Sequence, residues 1–275
     1  MKTLVRWFRV LINAFLKFFG DVKVFRFPFF MVYDPGSYQV KGHDTRKVME
    51  LVQPGDILIR GYKNYLDGYV IPGYFSHAGL YLGEVLPEHK ELVPLPEGKA
   101  LFREGKQIVA HSMAEGVFME DLISFCRCDH MAVLRFPEQF SRRSAAQFAQ
   151  YPILEFTAAE HELFQTLWRG DTIAFASAFP AIYQVALSQI GKSYDFQFNF
   201  VNYNDLSCTE FVYYCLKALE PFHELSPAKK RFLIFNRAVL TPDAFVAASL
   251  VEVWKSSSVN EKRWERLRGS NRDAT

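Results

Sequence analysis

Short runs of alternating apolar and polar residues in the first half of the chain predict β-strands. VQPGDILIRG places a Pro-Gly turn before the apolar run 57–59, and YFSHAGLYLGEV puts His77, Gly79 and Tyr81 on one face of a strand. KQIVAHS and MAVLRF predict two further strands, with a helical turn at MEDLISF between them. Residues 86–105 are rich in Pro, Glu and Lys, which indicates an exposed loop.

The hydrophobic period changes to that of helices between about residues 141 and 190. AAEHELFQTLWRG and FPAIYQVALSQIG repeat apolar residues every three or four positions, and each ends on a glycine that stops a helix. Strands followed by helices predict fold class α+β. The predicted organisation is a connector at 21–44, a main domain at 45–255 with a helical insertion at about 141–180, and a polar tail at 256–275.

The first twenty residues, MKTLVRWFRVLINAFLKFFG, predict a basic amphipathic helix. Their polar residues recur every three or four positions and form one basic stripe on an otherwise apolar helix. Such a helix lies in a membrane interface or docks on the protein's own core, and the pattern does not separate the two. The charges interrupt every apolar run before the roughly 20 residues that a membrane span needs. A secretory signal is disfavoured because no small-residue cleavage site follows.

Composition narrows the class of protein without selecting a function. The chain has 275 residues, of which 49% are hydrophobic and 23% charged, as in folded proteins. The net charge of +2 and the lack of a basic run make nucleic acid an unexpected partner. Aromatic residues make up 16%, which suits either a well-filled core or a site for an apolar ligand. Nothing in the pattern indicates an oligomeric state.

The four cysteines predict free thiols rather than a disulfide framework. Four in a chain of 275 residues are too few for such a framework, so a reducing, cytoplasmic location is expected, with peripheral attachment to a membrane through residues 1–20 as an addition. Cys126 and Cys128 form a C-x-C pair, but zinc sites need a second pair and none exists. We therefore expect no metal and no cofactor, with a metal or redox protein built on this pair as an alternative.

NDLSCTEFVYYCL contains the candidate nucleophile. Ser207 and Glu210 stand three apart before an apolar run, which is the pattern of a capping box, so Cys208 is the first residue of a helix. There the free N–H groups and the helix dipole favour the thiolate, the reactive form. Cys215 lies in the helix interior, where apolar neighbours raise a thiol pKa. The two cysteines also share one apolar face, so packing alone remains an alternative for both.

Two strand histidines are the candidate partners of this thiol. His77 and His111 are both flanked by small residues, which leaves room for a helix terminus or a substrate. If Tyr81 lies opposite Gln107 in an antiparallel pair, His77 lies opposite His111 on the same face. One imidazole then takes the thiol proton while the other orients it.

The ordered segments QPGDILIRG, FSHAGLYLG, IVAHSMAEGV, VLRF, IGKSYDFQFNF, LSCTEFVYYCL and LTPDAFVAASL resemble the circularly permuted branch of the NlpC-type papain-like cysteine hydrolases, the YiiX/YebB-like group. The resemblance implies a papain-like core of permuted order, in which a small antiparallel sheet packs against a helix carrying the cysteine at its N-terminus. It makes Cys208 the nucleophile, His77 the base and His111 the third polar residue. Glu115 or Glu84 are alternatives for that third residue.

The same resemblance assigns a role to Tyr194 and a reaction to the whole site. Tyr194 matches a tyrosine that lies near the oxyanion in relatives, although a packing role fits it equally. The implied activity is a thiol hydrolase or acyl transferase that cleaves an amide or ester through a thioester. Acylated, lipid-linked or cell-wall peptide substrates are expected, with a membrane surface as a candidate partner through residues 1–20. The alternative is a catalytically silent ligand- or lipid-binding module.

Overall fold

A computed structural model describes residues 22–26, 30–33, 38–63, 73–141, 156–196, 203–219, 225, 228–232 and 235–269. Its strands are β1 (Val22–Arg26), β2 (Phe30–Tyr33), β3 (Ile57–Gly61), β4 (His77–Val85), β5 (Gly105–Met113), β6 (Gly116–Asp121), β7 (His130–Arg135), β8 (Gln139–Phe140), β9 (Ile173–Ala174), β10 (Ala228–Phe232), β11 (Phe235–Val239) and β12 (Val251–Lys255). The helices are α1 (Gly42–Leu51), α2 (Pro96–Leu101), α3 (Leu122–Phe125), α4 (Ala158–Trp168), α5 (Phe175–Ser188), α6 (Cys208–Cys215), α7 (Asp243–Ala247) and α8 (Glu261–Gly269), with a 3₁₀ helix at Pro87–Leu92.

The centre of the fold is a six-stranded antiparallel sheet in the order β12-β7-β3-β4-β5-β6. Three short antiparallel pairs, β1-β2, β8-β9 and β10-β11, lie outside it. The predicted class, α+β with an antiparallel sheet, is therefore confirmed. The four strands predicted from alternation are β3, β4, β5 and β7. The helical turn predicted at MEDLISF is confirmed only over Leu122–Phe125, because residues 119–121 belong to β6, a strand that was not predicted.

The two faces of the sheet bury different sets of side chains. On the first face, Leu80 and Ala110 belong to the larger cluster, to which α5 and α6 contribute Val185 and Phe211. On the second face, Leu58, Tyr81 and Val109 pack with residues of α1 and β12 in a smaller cluster. The alternation of strand side chains produces this division. His77 is four residues from Tyr81 on β4, and His111 is two residues from Val109 on β5. Because these separations are even, both histidines belong to the second face.

Three predicted irregular segments contain regular structure. The connector predicted at 21–44 contains the β1-β2 hairpin and the first turn of α1. The loop predicted at 86–105 contains the 3₁₀ helix and α2. The polar tail predicted at 256–275 is wrong over Glu261–Gly269, because α8 docks there through Trp264, which is 1% exposed and donates from Nε1 to Glu252 at 2.8 Å. One buried tryptophan removes enough apolar surface to hold a polar helix in place.

The helical insertion predicted at 141–180 is described only from residue 156 onward, where α4 and α5 end near Gly170 and Gly191 as predicted. The amphipathic helix predicted at 1–20 lies outside the described residues. None of the helices that the structure describes combines the length and the apolar character needed to cross a bilayer.

Candidate active site

The capping box predicted at the start of α6 is confirmed. The Ser207 backbone N–H donates to the Glu210 carboxylate at 2.8 Å, and the Glu210 N–H donates to the Ser207 hydroxyl at 3.4 Å. Both residues are fully buried, so this local pattern also fixes the helix terminus inside the protein. Cys208 is consequently the first residue of α6, at the end where backbone N–H groups lack helical partners.

The sulfur of Cys208 lies where β4 and β5 separate. Their ladder begins at the pair Gly79–His111, whereas β4 starts at His77 and continues along β3 through the pair Ile59–Ala78. Ala78 lies beyond the β4-β5 ladder, and its backbone N–H and that of Thr209 both lower the pKa of the Cys208 thiol. The N-terminus of α6 therefore approaches β4 where β5 has left it, and the thiol lies near the residue that follows His77.

Burial decides the charge state of the thiol. Cys208 is 4% exposed, and burial raises its pKa to about 11, although the Ala78 and Thr209 N–H groups act in the opposite direction. The expectation that the helix terminus alone favours a thiolate is therefore wrong for the resting protein, since removal from water outweighs the two N–H donors. The thiol is protonated at neutral pH and needs a base.

The two histidines contact each other, but not in the predicted register. Nε2 of His77 lies 2.9 Å from Nδ1 of His111. Tyr81 pairs with Val109 rather than Gln107, so His111 lies opposite Gly79. The slip is two residues, and an even slip keeps the same face of each strand, so the imidazoles meet diagonally instead of directly. The prediction that the two imidazoles meet is therefore correct although the predicted register is not.

A carboxylate and a guanidinium that the sequence prediction missed extend this pair. Nε2 of His111 lies 3.0 Å from Oε1 of Glu120, at an angle too oblique for a hydrogen bond. Nη1 of Arg60 lies 3.3 Å from the same oxygen. Arg60 also donates to the Phe125 carbonyl at 2.8 Å and is 3% exposed. The alternation of GVFMED places Glu120 on one face of a strand, and that was the only signal for it.

The protonation of this row follows from burial and the two charges. Burial lowers the pKa of His77 well below its usual value, and Arg60 and His111 lower it further. Burial also lowers the pKa of His111, although Glu120 opposes it. For Glu120 burial raises the pKa, but His111 and Arg60 outweigh burial and the pKa is lowered. At neutral pH the row therefore holds two neutral imidazoles, an ionised carboxylate and a guanidinium.

The remaining predicted site residues lie on different parts of the chain: Tyr194 after α5, Glu84 on β4 and Glu115 in the turn after β5. The ring of Tyr194 contacts Phe196 at a centroid distance of 4.7 Å. The preceding Ser193 accepts from the Leu206 N–H at 2.9 Å, so the segment carrying Tyr194 runs beside the start of α6. A role for Tyr194 at the oxyanion stays a prediction. Glu84 and Glu115 are exposed, whereas Glu120 contacts His111 directly.

The other three cysteines are buried packing residues in the structure. Cys215 belongs to the larger core cluster and is the last residue of α6 rather than an interior one. Cys126 and Cys128 lie in the smaller cluster, and burial raises the pKa of both thiols. Over the described parts of the chain, no group of three or more His, Cys, Asp or Glu residues is arranged to hold a metal ion.

Comparison with known proteins adds no family to this picture. Neither protein-family models, nor curated proteins, nor solved structures match the chain. The function is therefore inferred from the residues and their geometry.

Proposed function

We propose that the protein is a thiol-dependent hydrolase or acyl transferase with Cys208 as its nucleophile and His77 as its general base. One observation carries the proposal: the backbone N–H of Ala78, the residue next to His77, is close enough to the Cys208 sulfur to act on the pKa of the thiol, and Nε2 of His77 lies 2.9 Å from Nδ1 of His111. Because Nε2 of His77 is engaged, Nδ1 is the nitrogen left for the thiol. A nucleophile, a base and a residue that orients the base form the minimum set for covalent catalysis.

The chemistry proceeds through a thioester. Nδ1 of His77 takes the proton of Cys208 as the sulfur bonds to the carbonyl carbon of an amide or ester, and the carbonyl electrons move onto oxygen. The C–N or C–O bond then breaks, and the leaving amine or alcohol takes the proton from His77. In the second half, His77 takes a proton from water or another acceptor as the acceptor's oxygen or nitrogen attacks the thioester. The C–S bond then breaks, and His77 returns the proton to the sulfur of Cys208. The lowered pKa of His77 keeps its imidazole neutral in the resting protein, so a lone pair is present for the first proton.

The arrangement supports membership of the circularly permuted NlpC-type papain-like group. A helix that carries cysteine at its first residue contacts an antiparallel sheet, and the histidine strands β4 and β5 precede that helix in the chain. In this assignment, the N–H of Cys208 and the Tyr194 hydroxyl stabilise the oxyanion. The permuted papain-like core is part of the proposal.

The substrate class in this proposal is an acylated, lipid-linked or cell-wall peptide. Its membrane half depends on residues 1–20, whose basic stripe and apolar face suit an interface rich in anionic lipid. A chain lacking residues 1–20 should bind anionic liposomes less tightly than the full chain. Equal binding of the two chains would remove the membrane from the proposal and leave the thiol chemistry untouched.

A catalytically silent binding module is the second candidate, and the burial of the Cys208 thiol favours it. A thiol that is 4% exposed meets a substrate only if neighbouring atoms move. Alkylation separates the two candidates: an active enzyme reacts with iodoacetamide at Cys208 much faster than at Cys215 at neutral pH, and a silent module reacts slowly at both.

The decisive experiment is to trap the acyl-enzyme. The full chain is incubated with a panel of acyl esters, lipids and acylated peptides, and its intact mass and peptide map are then measured. The proposal expects an acyl adduct on Cys208 that is absent from Cys208→Ala and present on Cys215→Ala. No adduct from any member of the panel, together with slow alkylation of Cys208, would establish the silent module instead.

A further inference from the structure

Four neighbouring strands each contribute one polar side chain to a continuous row on the second face of the sheet. In the backbone ladders, Arg60 on β3 lies opposite His77 on β4, and Glu120 on β6 lies opposite Val109 on β5. The side chain of Glu120 reaches that of His111, two residues along β5. Contacts of 2.9, 3.0 and 3.3 Å join the imidazoles, the carboxylate and the guanidinium. The proposed mechanism uses only His77 and His111, so the outer two residues need an explanation.

The direction of hydrogen bonding along this row follows from its carboxylate end. Oε1 of the ionised Glu120 lies 3.0 Å from Nε2 of His111, and although the contact is too oblique for a hydrogen bond, the negative charge favours a proton rather than a lone pair on that nitrogen. A neutral imidazole has one proton, so Nδ1 of His111 is then an acceptor. Nε2 of His77 faces that acceptor at 2.9 Å and must donate. Nδ1 of His77 is therefore left with a lone pair.

The buried guanidinium keeps the carboxylate in the form that this direction requires. Nη1 of Arg60 contacts the same Oε1 as His111, and its group lies 4.2 Å from the centroid of the Phe125 ring. Arg60 is fixed by the Phe125 carbonyl, so its charge stays beside Glu120. The other charge that acts on His111 is Glu115, in the exposed turn after β5.

We propose that Glu120, held by Arg60, is a positioning residue that sets the tautomers of both histidines and so leaves Nδ1 of His77 as the base for Cys208. The inference rests on the proposed function for the identity of the base, but the tautomers themselves are a property of the resting protein. Neither Glu120 nor Arg60 touches the substrate. Their effect reaches the thiol through two imidazoles.

Nitrogen-15 NMR of the wild-type chain labelled at histidine tests the tautomers directly at pH 7.5. The proposal expects a protonated Nε2 and an unprotonated Nδ1 in both residues, with assignment from His77→Gln and His111→Gln. A proton on Nδ1 of His77, or an imidazolium at His111, would overturn it. This measurement needs no variant of Glu120, so it decides the matter even if such a variant misfolds.

Substitution of Glu120 tests the consequence for the thiol. Glu120→Ala removes the acceptor, and we expect the alkylation of Cys208 by iodoacetamide to slow by about 10-fold to 100-fold, with mixed tautomers at His111. Glu120→Gln keeps an acceptor oxygen without the charge and should recover part of the rate. Glu88→Gln is the matched control, because Glu88 is an exposed glutamate in the 3₁₀ helix at Pro87–Leu92, which follows β4.

The outcomes distinguish the two proposals. Unchanged alkylation and unchanged tautomers in Glu120→Ala would remove Glu120 from the mechanism and leave Cys208 and His77 in place. The predicted tautomers in a protein whose Cys208 alkylates no faster than Cys215 would keep the inference about Glu120 and remove the enzyme.

Discussion

The two ends of α6 both carry a buried cysteine and a buried network of charged groups, yet the nucleophile and base that we propose lie at only one of them. At the N-terminal end, the backbone N–H groups of Ala78 and Thr209 lower the pKa of the Cys208 thiol, and Ala78 follows His77 directly. Just beyond the C-terminal end, Lys217 pairs with Glu160 of α4, and Cys215 lies in the core. The Lys217 Nζ also lies 3.9 Å from the Tyr214 ring centroid, and its pair leads to no nucleophile.

The difference shows that burial and charge do not by themselves define a site. Burial raises the pKa of both thiols, but only at Cys208 do N–H donors oppose it. For Lys217, burial lowers the pKa while Glu160 opposes the change, so each charge of that pair is neutralised by the other. At the N-terminal end, Glu120 and Arg60 also contact each other, but the two imidazoles of His77 and His111 lie between this pair and the strand edge at Cys208.

The largest expected effect separates the two cysteines. Cys208→Ala should lower turnover of an ester or amide substrate at least about 10³-fold, because it removes the nucleophile. Cys215→Ala should change turnover less than about 2-fold and cost about 1 to 2 kcal/mol of stability as a core truncation. Steady-state kinetics and urea unfolding of both variants measure this. Equal loss of turnover in the two would mean that both thiols are structural.

The second largest expected effect is that removal of the proposed base slows the alkylation of Cys208 and not that of Cys215. His77→Ala should slow the alkylation of Cys208 at pH 7 by about 10²-fold to 10⁴-fold, the usual contribution of a general base. Alkylation of Cys215, measured by peptide mapping in the same sample, should stay as slow as in the wild type. A Cys208 rate that does not respond to His77→Ala would show that the histidine is not its base.

At the other end of α6, breaking the ion pair should affect stability rather than reactivity. Lys217→Met leaves the Glu160 charge buried and should lower the free energy of unfolding by about 3 to 5 kcal/mol. Adding Glu160→Gln should restore most of it, because the amide is neutral and can still accept from the Thr157 N–H. The alkylation rate of Cys208 in the folded double variant should match that of the wild type. A large change would show that the ion pair at one end of α6 affects the reactivity of the thiol at the other.

The smallest expected effect is the pH dependence of stability. The folded-state pKa values of His77 and His111 are lowered, so below about pH 6.5 the unfolded chain binds more protons than the folded one. Their contribution is complete above that pH and is lost as the pH falls. His77→Gln should flatten the slope between pH 6.5 and 5 by up to about 1.4 kcal/mol per pH unit.

Two controls apply to this titration, which urea unfolding at several pH values would follow. His130 also has a lowered pKa and supplies a slope that His77→Gln leaves in place. The double variant Lys217→Met/Glu160→Gln should show the wild-type slope, because both charges of the buried pair are replaced together and a lysine pKa that is lowered from 10.5 changes stability at alkaline pH only. An unchanged slope in His77→Gln would mean that the pKa of His77 is not lowered in the folded protein.

Features that depend on neighbours in the chain were predictable. The capping box joins residues three apart, so Ser207 and Glu210 were enough to place Cys208 at a helix start. The parity of His77 and His111 came from alternation and survived a register error of two. The docking of α8 was missed because its composition is polar except at Trp264 and Leu267, and its packing shows only in contacts with other elements, such as those of Trp264 with Glu252 and Phe75.

The sequence by itself determined the α+β class, the helix that begins at Cys208 and the face that each histidine shares. Tertiary structure alone decided which residues meet. The β4-β5 ladder contains an irregularity between Tyr81 and Gly83, where Gly83 has a φ of 77°, so counting along the chain could not give the register. The contacts of Glu120 with His111 and Arg60 join three separate strands. The pKa of Cys208 also depended on the fold, because burial by distant residues outweighs what the helix terminus supplies locally.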